Sequence, residues 1–544
     1  MKRSIYHVRP TFTLNRWILV VLILTGLNAC VKEYDFENSE PPEWNPNVAA
    51  PIGVAKLSFN DILDEFDSLS FITIDEDNFI TVFYRSTVYS EYAESRILLD
   101  DQSVDTAMIL LHPAALPVGD SIIQYFSFRQ QFISTNNDEL DSARLKGGDF
   151  NMTINTDLDH DVRVILRSSR ITKNKVQFKK SIFIPASTFS QTVNIDMSGY
   201  DIYFYHESVQ KNLIPFDVDI IFFGDANPNV GPYNLSIDID ETDMFYSKLF
   251  GSFNTRTLSL LADTIKIPLF KNSTDGTIYL NDPRLNIYIS NSFGIPVSLF
   301  FDPLSAHSSE NAPYDVMIHG PGLPNPLSIS APNYSQVGQT LETNVLLYKT
   351  NSTIDDAINI LPEEIRYGVE GTLNPGGTTP QNFVLDTSRF KVEVEVEMPL
   401  ELYANNFTIN DTLDFEVDTE DIDMVEWFIF KIDAESTLPV AAEVQAYFVD
   451  SNNVVLDSLF QGITEIVPAA TPGPPPMYKA VDPTYRTISV TKNASEINKI
   501  GDTRKVILSA RLNTAGGGNQ IVRFYSDNYL QMKFRVQVKL NVKP

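Results

Sequence analysis

Phe390-Lys-Val-Glu-Val-Glu-Val-Glu397 alternates apolar and charged side chains without a break. Successive side chains of a strand point to opposite faces, so the stretch reads as a strand with one buried and one wet face. Val392, Val394 and Val396 are the expected core side, and Glu393, Glu395 and Glu397 the expected solvent side. Leu530-Gln-Met-Lys-Phe-Arg-Val-Gln-Val-Lys-Leu-Asn-Val542 repeats the pattern, with Met532, Phe534, Val536 and Val538 inward and Lys533, Arg535 and Lys539 outward. A slip of one residue would bury those charges, so the register is strongly specified. Upstream, Phe71 to Tyr84 places two β-rich runs around the acidic turn Asp75-Glu-Asp-Asn78, a hairpin signal. Helical patterns are short and few. The best is Thr353 to Pro362, with a Thr cap, Asp356 three residues on and apolar Ile354, Ala357, Ile358 and Leu361.

The alternating strands belong to a larger repeat. Asn151-Met-Thr-Ile-Asn-Thr-Asp-Leu-Asp-His-Asp-Val162 has counterparts in Asn286-Ile-Tyr-Ile-Ser-Asn-Ser-Phe-Gly-Ile-Pro-Val297 and Phe428-Ile-Phe-Lys-Ile-Asp-Ala-Glu-Ser-Thr-Leu-Pro-Val440. Each is an apolar strand, a polar turn and a valine that opens a second strand. The second and third copies also share a short helix (from Thr353 and from near Asn493), a Gly-rich loop (Gly371 to Gly377, Arg511 to Gly518) and the long alternating strand. The first copy matches less fully. A spacing of about 140 residues is too long for a solenoid unit and suits a whole domain. The expected fold is all-β with few short helices, built as tandem β-sandwich, immunoglobulin-like modules over 51–245, 246–402 and 403–544.

The chain of 544 residues has a net charge of −29. Such a surface repels phosphate backbones, and no basic stripe offsets it, which excludes a nucleic-acid partner. Hydrophobic content of 43%, with 35 Phe and 23 Tyr, is ample for packed cores. Before its single cysteine the chain has a basic start (Lys2, Arg3, Arg9, Arg16) and an apolar run, Trp17 to Leu24, too short to span a bilayer. Leu27-Asn-Ala-Cys30 then resembles the bacterial lipobox. The resemblance implies a signal peptide over 1–29, removed before Cys30, with acyl chains, palmitate among them, on that cysteine. Residues 30–50 would form a lipidated tether, kept extended by Pro41, Pro42 and Pro46. Several acyl chains suffice for stable anchoring.

A short pattern, Asp followed by Ser or Thr and then an aliphatic residue or Ala, resembles the O-glycosylation sequon of Bacteroidota. It implies modification at Ser68, Thr106, Ser121, Ser142, Thr264, Thr412 and Ser458. Lys32-Glu-Tyr-Asp-Phe-Glu37 resembles the acidic signal that sends lipoproteins of that phylum to the cell surface. With Trp44-Asn-Pro46 and Asn291 to Val297, the chain is similar in style to the large, β-rich lipoproteins of Bacteroidota. That family supplies no catalytic or binding residues to carry over.

Motifs for chemistry are sparse. His112, His160, His206, His307 and His319 show no metal-site spacing, so neither metal nor cofactor is expected. Gly119-Asp-Ser121 with Asp157-Leu-Asp-His160 resembles the GDS and DxxH signatures of a serine-hydrolase family, but only 39 strand-like residues separate Ser121 from His160. Ser388-Arg-Phe-Lys391 and Ser489-Val-Thr-Lys492 fit SxxK, yet residues three apart on a strand face opposite ways. The acid runs Asp238 to Asp243 and Asp418 to Asp423 could hold calcium through oxygen ligands, but neither has the Gly of a calcium loop, and solvated turns explain them better.

These readings predict a non-enzymatic outer-membrane lipoprotein, facing the cell surface, that serves as an interaction or assembly module. Its contacts would be the membrane through Cys30 and an integral outer-membrane protein. The alternative is a glycan-binding lipoprotein of a polysaccharide-uptake system, with a serine hydrolase as a remote third. Cys30→Ser should abolish incorporation of an alkyne fatty acid in metabolic labelling; undiminished labelling would remove the basis for the anchor.

Overall fold

The computed structural model describes residues 47–58, 70–112, 116–259, 262–270, 273–377, 381–414, 425–480, 482–500 and 502–540. The signal, Cys30, most of the tether, Ser68 and the acid run 418–423 lie outside them. Among the described residues strands dominate, with two short α-helices, Ile354–Asn359 and Ala494–Ile500. The expected strands are present as Arg389–Pro399 and Tyr529–Leu540. The hairpin joins Ser70–Ile74 to Ile80–Tyr92 through a turn in which Asp75 Oδ1 accepts from the Asp77 and Phe79 amides. The three repeat valines each open a strand: Val162–Lys173, Val297–His307 and Val440–Val449.

Pairing organises the strands into three modules of one topology. The inner module has eight main strands in order: Gln102–Leu110, Ser121–Gln131, Glu139–Thr156, Val162–Lys173, Val176–Ile184, Ser190–Asp196, Leu213–Phe223 and Tyr233–Ser252. Its first strand pairs with the eighth, the eighth with the third, and the third with the sixth. Its second pairs with the seventh, the seventh with the fourth, and the fourth with the fifth. The middle module repeats these pairings with Ile80–Tyr92 as first strand, Arg284–Asn291 as third, Val297–His307 as fourth, Glu364–Leu373 as seventh and Arg389–Pro399 as eighth. The outer module does so with Asn47–Ser58, Val425–Ser436, Val440–Val449, Lys505–Thr514 and Tyr529–Leu540 in those places.

The all-β sandwich class therefore holds. The order 1-8-3-6 in one sheet and 2-7-4-5 in the other is the double Greek key of a jelly roll, a different connectivity from the immunoglobulin-like one expected. The modules are also nested where tandem modules were expected. The boundaries at 245/246 and 402/403 fall inside Tyr233–Ser252 and Glu401–Asp414. Between its first strand and its second, Glu401–Asp414, the outer module contains the whole middle module; between its first and its second, Arg256–Ser259, the middle module contains the whole inner one. Local alternation marks a strand and says nothing about which distant strand completes its sheet, so linear boundaries miss this.

Antiparallel strands alternate direction, so the 1–2, 3–4, 5–6 and 7–8 connections gather at one end of each sandwich. Each insertion is thus carried on the loop end of its host. At one junction Asn382–Leu385, in the middle module's 7–8 connection, pairs with the base of Tyr233–Ser252. At the other, Phe79 bridges Tyr525 of the outer module, and Ile80 N–H donates to the Phe524 carbonyl. Among the described residues, only the loop end of the inner module carries no further module.

The middle module buries Val392, Val394 and Val396 completely, as the alternation requires. Their glutamate neighbours are wet only in part. Glu395 is 9% exposed and accepts from the Tyr288 hydroxyl, while Glu393 accepts from Arg85 and Glu397 from Arg284. Partial burial pushes the Glu393 carboxyl up, but Lys391 and Arg85 outweigh it and hold it below the usual carboxylate range. In the outer module Met532 and Phe534 pack on a smaller core around Ile432, Phe460 and Val467 and stay half-buried, as do Val536 and Val538. In urea unfolding of the chain, Phe390→Ala, at a fully buried site, should cost about 3–5 kcal/mol. Phe534→Ala should cost less, and exposed Lys533→Ala should stay within about 0.5 kcal/mol. A Lys533 effect as large as that at Phe534 would contradict the assigned faces.

Candidate functional site

The free loop end of the inner module gathers chemistry-bearing residues from four connections. Leu111 and His112 follow its first strand, Asp157 to Asp161 join the third to the fourth, Phe189 lies in the 5–6 connection, and Asp225 to Pro232 lie before the eighth strand. At the centre, His112 and His160 stack with ring centroids 3.8 Å apart. His160 is fully buried and His112 is 5% exposed. His160 Nδ1 lies 3.0 Å from Asp225 Oδ2, and Nε2 lies 2.7 Å from the Asn229 carbonyl oxygen. Each ring nitrogen thus faces an oxygen from the connection that precedes the eighth strand. His112 Nε2 is buried without a partner.

Carboxylates complete the cluster. The Tyr233 hydroxyl donates to Asp159 Oδ1 at 2.5 Å, and Asn229 Nδ2 donates to Asp159 Oδ2 at 2.9 Å. Burial works against the charge on Asp159 and on Asp225, but hydrogen bonds win at both: from Tyr233 and Asn229 at Asp159, and from His160 and the Asn227 amide at Asp225. Both carboxyls lie below their ordinary range. The cluster thus ties three connections together through buried polar contacts. Sequence reasoning singled out His160 but missed His112, Asp225 and Tyr233, which no spacing connects to it.

Outside this cluster, on the free face of the 1-8-3-6 sheet, is a groove of about 640 Å³. Its rim includes Ile109 and Phe189, the latter 68% exposed, and its floor Asn155, Asn234 and Ser236. Asn155 Nδ2 donates to Asp238 Oδ2 at 2.7 Å, and Asn234 Nδ2 to Asp157 Oδ2 at 2.8 Å. Val118 (75% exposed), Leu111, Ile122 and Val230 add exposed apolar surface around the same end.

The hydrolase pairing does not assemble here. Ser121 and His160 share this end, but both His160 nitrogens are committed to Asp225 and Asn229, and the ring is closed to solvent. Ser388 Oγ donates to the Ser292 carbonyl while Lys391 pairs with Glu393, and Lys492 is buried against Asp457 and the Ser458 carbonyl. The acid run 238–243 divides between faces: Asp238 points outward to Asn155, whereas Glu241 is fully buried. Among the described residues no group of His, Cys, Asp and Glu is arranged to hold a metal ion. No helix among them is long and apolar enough to cross a membrane.

The six described sequon hydroxyls all lie on strands. Ser121 and Thr412 are exposed; Ser142, Thr264 and Ser458 are half-buried. Thr106 pairs opposite fully buried Ile237, so it shares the inward face, a poor place for a glycan.

Glu241 is another buried polar residue of the module. Gln130 Nε2 donates to Glu241 Oε2 at 2.8 Å, while Glu241 Oε1 and Gln130 Oε1 have no partner. Burial outweighs the Gln130 hydrogen bond and pushes the carboxyl up to about 7. A raised acid is protonated when folded and ionised when unfolded between pH 4.5 and 7, so its contribution to stability is complete below 4.5 and falls across that window. Glu241→Gln should remove this dependence. The stability gap between Glu241→Gln and wild type should widen in favour of the variant by about 3 kcal/mol from pH 4.5 to 7.5. A constant gap in urea titrations would show that the group does not titrate in the core.

No protein-family model matches the chain, and neither does any curated protein sequence. Among solved structures, a Parabacteroides distasonis protein inferred to be secreted is 12% identical, over 54% of this chain and 88% of its own, with a TM-score of 0.25. The infectious bursal disease virus Gx strain structure is 8% identical, over 82% of this chain and 81% of its own, with a TM-score of 0.13. A Clostridium perfringens ZmpB structure, holding the M60 catalytic domain with two CBM51 domains, is 9% identical over 89% of this chain and 43% of its own, with a TM-score of 0.12. At these TM-scores the likenesses carry no argument, and the architecture rests on the strand pairing itself.

Proposed function

We propose that this chain is a non-enzymatic lipoprotein of the bacterial outer membrane that displays a binding module. One observation carries the reading: nested insertion makes the loop end of the inner module the free tip of the assembly. A chain anchored at Cys30 would reach the outer module first, through Asn47–Ser58, and the inner module last. Exposed Leu111, Val118, Ile122 and Phe189 at that tip are costly to leave in water and suit a protein partner's apolar surface. The His112–His160 cluster beneath them favours the same reading, because its buried contacts hold several loops in one arrangement, as a preformed binding surface requires.

A second reading, glycan binding, draws on the groove beside the tip. Its amide and carboxylate floor and exposed Phe189 suit a sugar, although the floor groups already bond one another and the aromatic is single. Affinity capture from native outer membranes tests both. Val118→Asp with Phe189→Asp should lose a protein partner that wild type retains at stoichiometric yield. Unchanged capture by the double variant would exclude the tip, and binding of wild type to a polysaccharide array without a protein partner would favour the groove.

A further inference from the structure

The second strand of the inner module, Ser121–Gln131, is an edge: among the described residues it pairs with Leu213–Phe223 on one side and with nothing on the other. That ladder runs through all eleven pairs without a bulge. Free edges are normally protected by proline, charge or a bulge. Asn47–Ser58 has Pro51 and a register shift, and Val176–Ile184 has Lys179 and Lys180. Ser121–Gln131 has none of these before Arg129, and it leaves Ile123 and Tyr125 exposed on its outward face. On its inward face Phe126 and Phe128 reach the core but stay half-buried at the open side.

We propose that this edge pairs with the same edge of a second copy, antiparallel across a two-fold axis at Phe126, extending the 2-7-4-5 sheet through a dimer. The register follows from the strand itself. Centring on Phe126 pairs all eleven residues, Ser121 with Gln131 at the ends, and keeps inward faces opposite inward faces. Tyr125 then faces the partner copy's Ser127, and Ile123 faces the partner copy's Arg129. The strand's one charge is therefore never set against itself, and the half-buried Phe126 and Phe128 gain cover from the neighbouring strand. The dimer does not rest on the tip reading, but the two share Ile122, and antiparallel pairing points the tips of the two copies in opposite directions.

Sedimentation velocity on the chain from Val31 onward, which lacks the expected acylated cysteine, tests it. Wild type should show a concentration-dependent dimer. Ile123→Lys sets a like charge against the partner copy's Arg129 twice by symmetry and should weaken the dimer at least tenfold. Ile123→Glu sets an opposite charge there and should leave it as tight or tighter. Opposite responses to two polar substitutions at one exposed site cannot come from misfolding. That chain contains no cysteine, so mixing Tyr125→Cys with Ser127→Cys chains should give more disulfide-linked dimer than either alone. A monomer at every concentration, equal effects of Lys and Glu, or no excess cross-link on mixing would overturn the proposal.

Discussion

Every module depends on one pairing, that of its first strand with its last. In the outer module Asn47–Ser58 lies against Tyr529–Leu540, and in the middle one Ile80–Tyr92 lies against Arg389–Pro399. These pairs close nearly the whole intervening chain into a loop. Loop entropy grows only slowly with length, so such distant pairing is thermodynamically tolerable. An insertion that is itself folded lowers the cost further, because it returns the chain to the end from which it left. The inner module does this: Gln102 begins its first strand opposite Glu241, and the eighth strand continues past that point to end at Ser252, on the side of the middle module. Nesting is thus a consistent solution, in which each closed sandwich holds together the ends that the next must pair.

The same geometry separates the molecule into regions of different character. Buried side chains of the inner and middle modules form one continuous cluster that runs on into Leu402, Ala404 and Phe407 of the outer module, which also has a smaller cluster of its own around Ile432 and Val467. Junctions between modules carry backbone pairing together with ion pairs. Arg256 meets Asp138, and Lys146 meets both Glu94 and Asp386. Those ion pairs belong to the junction of the inner and middle modules; at the junction of the middle and outer ones, the Phe79–Tyr525 bridge is joined by Arg523 over the Phe79 ring and by Asn281 donating to Glu401. The one loop end without such contacts is stiffened from within, by the stacked histidines and their carboxylates.

Polar residues throughout follow a rule that composition hides. The glutamates of 390–397 sit on the outward face, yet each is met by a donor on a neighbouring strand: Arg85 in the first, and Arg284, Asn286 and Tyr288 in the third. Like charges in a row on one strand are tolerable because neighbours supply the opposite sign. Glu241 is the exception. It faces inward with only an amide for company, and the core resolves the conflict by raising its proton affinity.

Sequence alone determined what is local. Alternation assigned Val392, Val394 and Val396 to the core, the acidic turn at Asp75 marked a hairpin, and a valine after each of three similar strand-and-turn stretches marked the start of the same strand in three modules. Each of these signals is carried by residues within one or two turns of the chain, where side-chain periodicity and turn chemistry act directly. Tertiary structure decided what depends on distant partners. Which strand lies beside which makes the modules jelly rolls and nests them, and it brings His112, His160 and Asp225 together from three connections. It also left Phe534 half-buried despite an alternation as regular as that around Val394. A strand's pattern states which face points inward; how deeply that face is covered depends on the opposite sheet, and the opposite sheet is made elsewhere in the chain.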